Sequence, residues 1–169
     1  MQMRKELARV IQLLSSCPPE AYAFLYGSSQ NQNLSGAAYL YPIWGGTLML
    51  VEVIGLPYSD EICSRRIFGF HIHEGDSCTG TKEDPFADTG EHFNPAGCKH
   101  PEHAGDLPPI FGNHGYAFSA FYTERFQPEE VVGKTLVIHN MPDDFQTQPS
   151  GNAGMKIACG EIKENMSAS

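Results

Sequence analysis

Two histidines stand one residue apart in the stretch FHIHE, His71 and His73. In an extended chain successive side chains point to opposite faces, so positions i and i+2 share one. A strand here sets two imidazoles side by side. His92, His100, His103 and Asp106 follow in EHFNPAGCKHPEHAGD, and His139 comes late in TLVIHNM. Neutral imidazoles and a carboxylate are ligands for zinc and copper. Three histidines with one aspartate make a closed tetrahedral set, as in a structural zinc site. Three or four histidines without a thiolate suit copper and leave room for a small ligand. The remaining histidine, His114, is isolated in the turn GNHG and reads as an ordinary turn residue. Cys98, among the loop ligands, is a weaker alternative ligand.

The elements that must hold these residues read as mostly extended. AYAFLYG (21–27) is a strand. Residues 35–57 are a strand, a turn at Gly45-Gly46 and a second strand. Further strands are expected over 65–74, 115–124, 133–141 and 155–162. Residues 142–154 form a loop. Residues 75–113 form a long irregular stretch with no hydrophobic core of its own, and loops of that length are usually functional. A metal is its natural organiser. Strands joined by very unequal loops predict an all-β sandwich or Greek-key barrel.

Seventeen glycines and twelve prolines in 169 residues agree with a turn-rich β fold. The net charge of −9 opposes nucleic acid as a partner. No apolar run approaches the ~20 residues of a membrane span. Leu7, Val10, Ile11 and Leu14 make an apolar stripe on a short N-terminal helix, ended by Pro18 and Pro19. It is expected to be an amphipathic extension over 1–18, packed on a domain over 19–165. Leu14-Ser15-Ser16-Cys17 and AYA (21–23) imitate export cleavage sites, but Glu6, Arg9 and Gln12 interrupt the apolar region such a signal needs. The expected location is cytoplasmic, with export or lipid anchoring through this segment as the alternative. Five cysteines without a C-x-x-C pair argue against a thiolate zinc site.

GFHIHE, HFNP, KHPEHAGDLP, TLVIHNMPDD and TQPSGNAGMKIACGEI resemble the copper/zinc superoxide dismutase family, in order, from about residue 20 to 163. The resemblance implies a Greek-key β-barrel of immunoglobulin-like kind with long metal-binding loops. It implies copper and zinc ions as cofactors and dismutation of the superoxide anion as the activity. By position, His71, His73 and His139 are copper ligands, and His92 bridges to zinc. His100, His103 and Asp106 complete the zinc set. Asp143 links His71 to His100, and Cys78 pairs with Cys159 in a disulfide. His92 and Lys156 are the implied catalytic residues. Lys156 stands where the family has an arginine and lacks its planar two-point fork, so reduced but retained activity is expected. Lys134 reads as a solvated surface lysine. Glu161 stands where relatives carry an apolar residue, leaving a monomer or a homodimer. A non-enzymatic copper- or zinc-binding protein of the same fold is the alternative. A zinc hydrolase is a weaker third reading, because its zinc would need an open position.

Overall fold

A computed structural model gives the fold over residues 2–64 and 66–166, with side chains described from Ala8 onward. After helix α1 (Gln2–Ser16) come strands β1 (Ala21–Gly27), β2 (Ser35–Ile43) and β3 (Gly46–Ile54). Then follow β4 (Ile67–Phe68), β5 (Phe70–His73), β6 (Ile110–Phe111) and β7 (Ala117–Thr123). The one-turn helix α2 (Pro128–Val131) precedes β8 (Thr135–His139), β9 (Lys156–Glu161) and β10 (Lys163–Glu164).

Alternation decides which way the strands face. Ala21, Ala23 and Leu25 of β1 are buried, while Phe24 and Tyr26 on the opposite face are exposed. The strands pair in the order β5-β8-β9-β1-β2-β3-β7, all antiparallel, and β10 adds to β1. The chain leaves β3, next to the β7 end of this order, and re-enters at β5 at the other end. It then returns from β7 to β8, beside β5. These two crossings make the Greek key of a curled β-barrel. Leu25, Leu40, Met49, Phe70, Ile72, Phe126, Leu136 and Ile138 fill its core.

The strand expected over 65–74 is split at Gly69. Its N–H donates to the Met141 carbonyl at 2.7 Å, and its own carbonyl accepts from His139 N–H at 2.8 Å. A Cβ there would lie 2.8 Å from that of Ala153. The backbone is thus pinned at the end of β8, and β4 turns away to pair with β6.

The 75–113 stretch also departs from expectation, because it has apolar anchors. Phe93, Leu107 and Ile110 join the main core. Phe86 packs with Val137 and Cys159, and Cys78 lies against them. The Cys78–Cys159 disulfide closes the same contact. Helix α1 forms as expected. Val10, Leu13 and Leu14 are half-buried, but Ile11 is 61 % exposed, so the stripe is not covered as a whole. The side chain of Leu7 lies outside the described residues.

Candidate metal centre

Strand β5 has β8 on one edge. Its other edge is taken by the long loop. Ile72 N–H donates to Gly105 carbonyl at 2.9 Å, Phe93 N–H to Ile72 carbonyl at 2.8 Å, and Glu74 N–H to Glu91 carbonyl at 2.9 Å. These bonds set Asp106 opposite His71 and His92 opposite His73. Backbone pairing therefore delivers loop residues to the strand's histidines. On the far side, the β8–β9 register shifts between Ile138 and His139, so Lys156 opposes His139 where Ile157 would otherwise stand. Such irregularities re-aim side chains near functional sites.

Two ligand groups result, all buried. One is His71, His73, His92 and His139; the other is His92, His100, His103 and Asp106. Within each, one candidate atom per residue lies within 4.8 Å of the rest. All seven expected ligands are brought together, with His92 in both groups. His114 sits elsewhere, exposed, with its Nε2 3.9 Å from Asp60. Cys98 is exposed and outside both groups.

Hydrogen bonding fixes which ring nitrogens are free. A carbonyl only accepts, so His73 Nδ1 donates to Gly90 O at 2.8 Å and His139 Nδ1 donates to Gly154 O at 3.2 Å. Both Nε2 atoms are then bare lone pairs, and they face each other at 3.3 Å. Two lone pairs at that distance repel unless a cation lies between them. Asp143 repeats the device. Its Oδ2 accepts from His71 Nε2 at 2.7 Å, and its Oδ1 accepts from His100 Nε2 at 2.9 Å and from Phe145 N–H at 2.7 Å. Both rings are left with a lone pair at Nδ1. These Nδ1 atoms, with His103 Nδ1 and His92 Nε2, are buried without a hydrogen-bond partner.

Asp106 Oδ2 lies 3.0 Å from His100 Nδ1 and 3.3 Å from His103 Nδ1. Those distances suit an ion pair, yet the angles make no hydrogen bond, since both nitrogens remain unpartnered. A carboxylate and imidazole lone pairs converging in this way are arranged as ligands. His92 turns its Nδ1 to Asp106 Oδ1 at 2.7 Å and keeps its opposite nitrogen free. The residues fit two cations that share one ring.

Electrostatics agree. Burial, reinforced by neighbouring rings, holds His73 well below the ordinary imidazole value and His139 at about 3. Burial also lowers His71. Burial pushes the Asp106 and Asp143 carboxyls up, but hydrogen bonds and charge from their histidines bring both to a net lowering. His71, His73 and His139 are thus held neutral and Asp106 and Asp143 ionised, the protonation states that metals require.

Residues that the sequence did not single out support the centre. Arg125 donates through Nη1 to the carbonyls of Pro101 at 2.9 Å, His103 at 3.0 Å and Asp106 at 3.2 Å. No local pattern marks it, since it lies about twenty residues from the loop it clamps. Gly151, at φ +68°, leaves no room for a Cβ, which would overlap the Asp143 carboxylate. A glycine in SGNAG after a run of loop residues was the available signal. Lys134 is not simply solvated: it pairs with Glu74 at 2.7 Å and lies over the Phe93 ring.

A family model described as copper/zinc superoxide dismutase matches residues 51–162. The chain is 38 % identical over 143 residues to superoxide dismutase [Cu-Zn] 2 of Aquifex aeolicus, covering 76 % of this chain and 78 % of that one. It is 33 % identical over 149 residues to superoxide dismutase [Cu-Zn] of Deinococcus radiodurans, covering 78 % of each. The chain belongs to the copper/zinc superoxide dismutase family.

Proposed function

We propose that the protein dismutes superoxide at a copper site joined to a zinc site through His92. The observation that carries this is the shared ring, buried between two complete ligand groups. The free nitrogens support copper at His71 Nδ1, His73 Nε2, His139 Nε2 and His92 Nε2. Zinc is supported at His100 Nδ1, His103 Nδ1 and the Asp106 carboxylate, and His92 would join through Nδ1 on giving up the hydrogen it shares with Asp106. Copper supplies one-electron oxidation and reduction, and zinc supplies fixed charge and geometry.

The chain's own residues do the rest. Two superoxide anions and two protons give dioxygen and hydrogen peroxide. His92 Nε2, otherwise bare, can hold a proton and donate it to the product as a general acid. Lys156 stands opposite His139, with Nζ donating to Phe86 O at 3.0 Å, and supplies positive charge for the incoming anion. A lysine there attracts as a point charge without the two-point grip of an arginine.

Metal content and superoxide consumption are measured on one sample reconstituted with copper and zinc. One copper and one zinc per chain with cyanide-sensitive dismutation is the expected result. Metal uptake without turnover would leave a metal-binding protein of the same fold. No described helix is long and apolar enough to cross a membrane. A cytoplasmic location is supported by the charges that interrupt the N-terminal apolar stripe. The Cys78–Cys159 disulfide supports export, and fractionation decides between them. The exposed Phe24 and Tyr26 support a homodimer over a monomer, a choice tested by sedimentation.

A further inference from the structure

A cleft of about 370 Å³ is lined by residues that adjoin His139: Gly154 bonds its ring and Lys156 stands opposite it across the strand pair. Gly154, whose carbonyl holds His139, forms part of its wall, together with Lys156, Glu83 and Asp84. Lys156 is the single cation in this lining, and it does not stand alone. Asp84 Oδ2 lies 3.8 Å from its Nζ, beyond hydrogen-bond reach but well within the range of charge.

The two groups holding Lys156 come from one turn. Thr81 N–H donates to Asp84 O at 2.8 Å, and Asp84 N–H donates to Thr81 Oγ1 at 3.0 Å. Asp84 Oδ1 accepts from Phe86 N–H at 3.3 Å. The Phe86 carbonyl then anchors the ammonium without adding charge, while the Asp84 carboxylate adds charge without bonding it. Anchoring and charge are carried by separate groups.

We propose that Asp84 is a positioning residue that acts through Lys156. Its carboxylate damps the ammonium's field in the cleft and so limits how strongly a small anion is drawn toward the copper ligands. This rests on the dismutase reading above, and the cleft's substrate is then a monovalent inorganic anion.

Asp84→Asn tests it, because the amide keeps an Oδ1 acceptor for Phe86 N–H and leaves the Phe86 anchor in place. Azide affinity is read from the absorption of the copper- and zinc-loaded protein, and superoxide kcat/KM is measured beside it. Both are expected to rise about two- to fivefold at low salt, the effect of removing one half-exposed charge near the anion's path. At roughly 0.5 M salt, where screening acts over about 4 Å, the gain should close. In the Asp84→Asn/Lys156→Gln double variant the gain over Lys156→Gln alone should vanish. Unchanged or weaker azide binding in Asp84→Asn overturns the proposal, as does a gain that survives the loss of Lys156. A wild-type protein that takes up both metals but turns nothing over would instead overturn the dismutase reading.

Discussion

Asp143 reaches a ring of each ligand group with a different oxygen, and so fixes the tautomers of His71 and His100 together. Asp143→Ala should weaken metal binding at both sites by about 10- to 100-fold, read by competition with a chromogenic chelator. Gly151→Ala should act in the same direction, because its Cβ would occupy the carboxylate's place. Acid should act through the buried rings. His139 titrates at about 3 in the fold and near 6.5 when unfolded, so the unfolded chain binds the extra proton between those values. His73 shifts the same way. The metal-free protein should therefore hold its full stability above about pH 6.5 and lose it progressively toward pH 3, as measured by urea midpoints across that range. The residues of the two histidine-rich groups were legible in the sequence as candidate ligands, since residue type and spacing carry coordination chemistry. Arg125 and Asp84 were not. A guanidinium on distant carbonyls and a carboxylate beside a lysine are contacts that only the folded loop creates.

The long loop is an element held by several independent ties. Backbone bonds lay it along β5, Phe93 and Leu107 root it in the core, and a disulfide fastens it to β9. The sequence assigns its organisation to metal and, through the resemblance, to the Cys78–Cys159 disulfide, and hides the apolar anchors because Phe86, Phe93, Leu107 and Ile110 are scattered among residues with no apolar period. Periodicity cannot show that isolated apolar residues reach a core built by other strands. The main strands were legible for the opposite reason: AYAFLYG, GAAYLY and TLMLVEV are unbroken runs rich in apolar, aromatic and β-branched residues, bounded by turn residues. The interruption at Gly69 was hidden, since it depends on Ala153 and Met141 approaching from elsewhere. Two outcomes follow for this loop. Replacing Cys78 and Cys159 by serine should cost roughly 4–5 kcal/mol by the chain-entropy argument, read from denaturant midpoints. Arg125→Gln should release the carbonyls of residues 101–106, speeding amide exchange in that turn and lowering zinc retention against a chelator while copper retention changes less.

At the scale of the whole molecule, the proposed division at residue 18 has a simple check. Pro19 O accepts from Asn165 Nδ2, and Glu20 N–H donates to Leu40 O, so the chain is tied to the barrel immediately after the helix. A chain starting at Pro19 should fold with unchanged metal stoichiometry and a melting temperature within a few degrees of the parent, measured by calorimetry. The shared ring of His92 has a further consequence for the molecule as a unit. Whatever one ion gains when His92 is already turned toward the other, the second ion must gain equally, because the linkage is reciprocal. Where that gain is positive, occupancy is correlated: in a mixture short of either ion, chains tend toward both or neither. The barrel would in effect count its two cations as a pair, and a shortage of the redox-silent one would be felt as a shortage of the working one.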